Sequence, residues 1–195
     1  MKKTLVLLAT FAVAVGALAQ GKVTFGNGPS HLIVIDTRAG FYKATETPGA
    51  AATQIGVGTA VMGTLTAQLW AGTAAGSLTL QSTLNPAGFA GLADGRLANV
   101  GVTLTGVPAG NAFFQVLLFE TSAGSYHAAL NGVNLWYGQS PVFQAAAGSF
   151  APTPIDSMAG WAATPMVLSA NIPEPSTFVL AGLGVASLLL FRRRK

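Results

Sequence analysis

The chain has 195 residues, of which 51 % are hydrophobic and only 8 % charged, against roughly 25 % charged in ordinary soluble domains. That balance excludes charge-driven disorder and argues against a soluble cytosolic enzyme, whose surface is usually dense in Lys, Glu, Asp and Arg. The absence of cysteine excludes disulfide scaffolds, Cys-ligated zinc, iron–sulfur clusters and thiol catalysis.

The net charge of +4 does not indicate a nucleic-acid partner, because of where the charge sits. Lys2, Lys3, Arg192, Arg193, Arg194 and Lys195 occupy the extreme ends, and between Gln20 and Ile172 four bases face five acids. Four scattered cations cannot displace counterions from a phosphate backbone.

In chain order, Met1-Lys2-Lys3 is a positive n-region, Thr4 to Gly16 an apolar run of signal-peptide length, and Ala17-Leu18-Ala19 a small-x-small pattern. Together they predict a signal peptide over 1–19, cut before Gln20 by signal peptidase and leaving an exported mature chain. An uncleaved N-terminal anchor or a buried strand is the alternative.

Residues 20–171 read as one extracytoplasmic, all-β domain. Thr64 to Trp70 and Asn99 to Thr105 alternate with period 2, the latter with Val100, Val102 and Leu104 on one face, as half-buried strands do. His31 to Ile35 and Ala112 to Glu120 are more continuously apolar, as in central strands covered on both faces. Weaker candidates are Lys22 to Phe25, Leu78 to Leu84, Pro141 to Ala145 and Met166 to Ser169. Turn signals separate them, among them Asn85-Pro86-Ala87-Gly88, Asp94-Gly95, Pro108-Ala109-Gly110-Asn111 and Asn131-Gly132. Many short strands between Gly and Pro turns predict an antiparallel β-sandwich or jelly-roll-like domain. A single helical turn is expected around Tyr126 to Leu130, a long loop or weakly specified strand pair over 40–60, and an irregular closing segment over 146–165.

No catalytic signature assembles in this domain, so the expectation is a non-enzymatic protein with no catalytic, cofactor-binding or metal-binding residues and no cofactor. His31 and His127 lack a partner motif, and the metal-binding HExxH, calcium-loop, nucleophile-elbow, P-loop and dinucleotide patterns do not occur. The aromatics are the remaining handle. Trp70, Trp136, Tyr137 and Trp161 suggest a platform on which a sugar ring could stack, with Trp136 and Tyr137 as the candidate glycan-stacking pair. Ordinary core packing is the competing reading, because Trp and Tyr are highly buried on average. Trp161 also suits a membrane interface.

The C-terminal segment carries a second membrane signal. Residues 177–191 are uninterruptedly apolar and run directly into Arg192-Arg193-Arg194-Lys195. At 15 residues this is marginal for a spanning helix, which needs roughly 17–25. The terminal cations fix its orientation, cytoplasmic by the positive-inside rule. Ahead of it, Pro173-Glu174-Pro175 forbids helix and holds the chain extended. This combination over 172–195 resembles the PEP-CTERM sorting tail of Gram-negative bacteria: a Pro-Glu-Pro motif, a short hydrophobic helix and a basic end. Ile172 stands where that family usually has Val. The resemblance implies recognition of Pro173, Glu174 and Pro175 by exosortase, an inner-membrane intermediate, and a final place at the cell surface or in the extracellular matrix. It also implies an association with exopolysaccharide and biofilm. The expected role is structural or adhesive; a carbohydrate-binding surface module, a periplasmic hydrolase using His31 and His127, and a plain single-pass anchored protein are the alternatives.

Overall fold

The computed structural model describes residues 20–27, 32–36, 41, 59–84, 95–149, 153–154, 166–172 and 183. The longest strand, β6 (Gly110–Glu120), organises the rest. Its even-numbered residues Ala112, Phe114, Val116 and Leu118 are fully buried, while Phe113, Gln115 and Leu117 are half-buried on the opposite face. One edge of β6 pairs antiparallel with β3 (Leu65–Gly72), from Leu65 opposite Glu120 to Gly72 opposite Phe113. The other edge is too long for one partner and is shared by two. β7 (Trp136–Gln139) takes residues 117–119 and β8 (Phe143–Ala147) takes 110–114.

Ser140 carries the ladder across the gap between those two strands. Its N–H donates to the Val116 carbonyl at 2.9 Å. Its Oγ accepts the Val116 N–H at 2.9 Å and donates to the Pro141 carbonyl at 2.8 Å. Pro141 has no N–H of its own, so a chain break in β pairing falls where a side chain can mend it. Beyond β7 lie β10 (Val167–Ala170) and β2 (Val34–Ile35), and beyond β3 lies β4 (Thr79–Leu84), giving a seven-stranded sheet.

A second sheet has three strands, in the order β5 (Val100–Pro108), β1 (Gln20–Phe25), β9 (Thr153–Pro154). The chain passes between the sheets at Pro108-Ala109-Gly110, where Gly110 adopts φ +115°. The two sheets bury their faces in one core: Val23, Phe25, Val102, Leu104 and Val107 belong to the same cluster as Leu65, Leu69, Phe114 and Leu118. The Phe114 and Phe143 rings stack there with centroids 5.9 Å apart. At the edges Gln81 links them, its Oε1 accepting the Thr105 N–H. Asn27, fully buried, donates from Nδ2 to the Gly95 carbonyl and accepts the Leu97 N–H at Oδ1. The helices are short. α1 (Thr59–Met62) precedes β3, and α2 (Tyr126–Asn131) follows β6, capped by Ser125, whose side chain accepts the Ala128 N–H.

The described residues are thus mostly strand, as their alternation predicts, with three corrections. The sheets are mixed rather than antiparallel: β9 runs parallel to β1 and β2 parallel to β10. Both are two-residue edge strands brought back by long connections, the route that parallel pairing requires. The expected central strand His31 to Ile35 is the edge strand Val34–Ile35. Ile33 and Ile35 are buried, so its apolar run reflects burial rather than a central place; His31 lies outside the described residues. In β5, Val102 and Leu104 face the core but Val100 is 36 % exposed, and Val107 is buried in its stead. The phase changes at Gly106, held at φ +71°, opposite an irregularity in the β1 register between Gln20 and Lys22. An extra residue in left-handed conformation is how a strand turns a side chain to the other face.

A Cβ at Gly106 meets nothing within 4 Å, so substitution there tests backbone conformation alone. Gly106→Ala is expected to lower unfolding free energy by about 1–2 kcal/mol, and Gly106→Asn by less, since Asn tolerates this conformation. Urea titration measures both, and an Ala variant as stable as the parent contradicts the bulge.

Candidate functional site

Two regions are candidates: the segment after β10 that leads toward the Pro-Glu-Pro motif, and the outer face of the large sheet. The body ends in a fastened segment. After β10, Asn171 is held through three groups. Its carbonyl accepts the Asn134 N–H at 2.7 Å, its Nδ2 donates to the Leu130 carbonyl at 2.7 Å, and its Oδ1 accepts the Tyr137 hydroxyl at 2.9 Å. Ile172 packs against the hydrophobic core. Pro173, the first residue of the tail motif, follows with no intervening linker.

The outer face of the large sheet is built by the strand period. Register places Trp70 beside Gln115, and Gln68 beside Leu117, which in turn neighbours Gln139. Directly paired residues point to the same face, so three amide side chains and an indole share one surface. Trp70 Nε1 donates to Gln68 Oε1 at 3.2 Å, and Gln115 Nε2 donates to the Ser140 carbonyl at 3.3 Å. Helix α2 walls one side, its Tyr126 ring edge-on to Tyr137 with centroids 6.5 Å apart. Phe119 and Ala129 are buried outside the main core. Across the groove stands the β3–β4 turn with Ala75, Gly76 and Leu78. The groove is open and holds about 700 Å³, and among the described residues no Asp, Glu, Lys or Arg lines it. Burial, and after it the neighbouring Tyr137, raises the Tyr126 pKa above its ordinary value of 10.0, so this phenol keeps its proton through neutral and mildly alkaline pH.

The expected stacking pair does not present itself as one platform. Trp136 is 2 % exposed, in the core: its place in β7 turns it inward while Tyr137 turns outward. Tyr137 is half-buried, with its hydroxyl on Asn171 and its ring against Tyr126. The indole on the outer face is Trp70, and its signal was the period-2 run Thr64 to Trp70, which sets Gln68 and Trp70 opposite Ala67 and Leu69. His127 is exposed at the groove's rim. Among the described residues, no cluster of three or more His, Cys, Asp or Glu has metal-binding geometry. Ala17, Ala19, Trp161, Pro173, Glu174, Pro175, Arg192, Arg193, Arg194 and Lys195 lie outside the described residues. So does the segment 177–191 except Leu183, which is helical and exposed. Among the described residues no helix is long and apolar enough to cross a membrane.

In the sequence the fastened Asn171 is followed, after Ile172, by Pro173-Glu174-Pro175. The family model of the PEP-CTERM protein-sorting motif matches residues 171–195. The tail therefore carries a PEP-CTERM sorting motif, and the match begins at Asn171, the residue that fastens the body. No curated protein matches the chain, and no solved structure does.

Removing the Asn171 side chain leaves the Leu130 carbonyl and the Tyr137 hydroxyl without their partner. Asn171→Ala is expected to cost about 1–3 kcal/mol and to speed amide exchange at Asn134 and over β10, read by hydrogen-exchange mass spectrometry. Unchanged exchange there contradicts the fastening.

Proposed function

We propose that this chain is a non-enzymatic protein of the cell surface or extracellular matrix, exported through a cleaved signal peptide and sorted by exosortase, with a structural or adhesive role. The PEP-CTERM motif at 171–195 carries this reading. Strand β1 begins at Gln20, so a cut after Ala19 removes nothing that the described sheets use. A body of β-sandwich class, low in charge and solvated by Thr, Ser and backbone, suits an exterior crowded with polysaccharide.

The division of labour in the tail follows from its chemistry. Two prolines hold Glu174 in extended backbone, the form in which a chain enters a protease or transpeptidase cleft. In this reading the apolar run 177–191 keeps the substrate in the plane of an inner-membrane enzyme, and its shortness is offset by flanking residues and local thinning. Arg192 to Lys195 hold the far end on the cytoplasmic side. Because Ile172 packs on the core, the enzyme must work close against the folded body.

The rival is a plain single-pass anchor, for which the identity of residue 174 is immaterial. With Glu174→Ala expressed in the native host, the full-length form is expected to accumulate in the inner-membrane fraction at least about fivefold while the surface fraction falls, as read by quantitative immunoblotting. Identical distribution of the parent and the variant favours the plain anchor.

A further inference from the structure

We propose that the groove on the outer face of the large sheet is a binding site for a neutral saccharide chain, with Trp70 as the stacking surface and Gln68, Gln115 and Gln139 as the hydrogen-bonding groups. The proposal deepens the adhesive reading above by naming what is bound, and it rests on that reading only for where the ligand is met.

The side chains select the ligand by exclusion and by fit. Among the described residues no Lys, Arg, Asp or Glu lines the groove, so phosphates, uronic-acid polymers and metal cations find no countercharge among them. A wholly apolar ligand strips water from three primary amides without replacing their hydrogen bonds, a cost of about 1–3 kcal/mol for each unpaired group. An extended peptide adds to a sheet at its edge, where backbone groups are open, whereas these residues stand on a face whose strands are paired on both sides from β3 to β7. What fits is a ligand with flat C–H faces and neutral hydroxyls that both donate and accept. Amides match hydroxyls because each carries both functions.

The elements also set size and rigidity. From β3 across β6 to β7 is two strand spacings, roughly 10 Å, and the volume of about 700 Å³ is in the range of ordinary ligand sites; both suit a short stretch of chain better than a single sugar. The Trp70 indole is fixed by its bond to Gln68, and Gln115 by its bond to the Ser140 carbonyl. The same Ser140 that carries the ladder past β7 therefore also orients a groove amide. Tyr126, held protonated, adds a phenol on the helix side. Stiff, pre-placed groups lose little entropy on binding.

The test uses the full chain in detergent micelles, with cellohexaose, maltohexaose and chitohexaose as neutral probes and polygalacturonate as the anionic comparison. Calorimetry and tryptophan fluorescence are expected to show at least one neutral hexamer binding with Kd of about 1 mM or tighter. Trp70→Ala is expected to weaken that binding at least about tenfold, and Gln139→Ala several-fold, each with Tm unchanged. Gln139 is exposed, so its variant decides the matter should Trp70→Ala fail to fold. Three results overturn the site: none of the neutral hexamers binds, polygalacturonate binds in their place, or binding survives the substitutions. A parent chain that is processed normally in its host yet binds no neutral hexamer removes the saccharide site and leaves the sorting reading standing.

Discussion

The structure depends on strand β6 being held along both edges through its central residues, Phe113 to Phe119. On one edge β3 alone covers Phe113 to Glu120; on the other edge two short strands must meet without leaving the Val116 peptide unpaired. An unpaired buried backbone group is expensive, and Ser140 removes that cost by giving Val116 both an acceptor and a donor. With this continuity, β6 can bury Ala112, Phe114, Val116 and Leu118 toward the small sheet and present Gln115 and Leu117 outward. Core and groove are the two faces of one strand.

The chain has no cysteine, so stability comes from burying apolar area between two sheets and from satisfying backbone polar groups at the places where strands start, stop or change partner. Several such places have a polar side chain: Asn27 beside Gly95 and Leu97, Gln81 of β4 on Thr105 of β5, Ser140 at the β7–β8 join, and Asn171 after β10. The last of these holds the chain at the residue where the PEP-CTERM match begins. A sorting enzyme therefore meets a tail that leaves a fixed point on the domain.

Much of this could be read in the sequence, and the parts that could not share a cause. Alternation in Thr64 to Trp70 located β3, and the continuously apolar run Ala112 to Glu120 located the central strand β6, because both patterns are properties of the strand itself. The tail was legible because its motif, apolar run and basic end are contiguous in the sequence. What stayed hidden depends on non-local pairing. That His31 to Ile35 shrinks to an edge strand, that β2 and β9 run parallel to their neighbours, and that β5 changes phase at Gly106 are settled by which strand arrives alongside. The aromatic site shows the same limit. Composition singled out Trp136 and Tyr137 as a pair, yet adjacent strand residues point to opposite faces, so they were bound to be separated. Trp70 and Gln115 are 45 positions apart and become neighbours only through the register of β3 on β6.

The proposal joins body and tail: the β domain is made as a precursor and is released from, or transferred away from, a membrane address carried by the PEP-CTERM motif at 171–195. Mass spectrometry of the terminal peptides of the mature protein, isolated from its native host, tests this most directly. The account predicts a first residue of Gln20 and a last residue close to the motif, within Pro173 to Ser176. A C-terminus intact through Lys195 contradicts it and makes the chain a permanently anchored membrane protein.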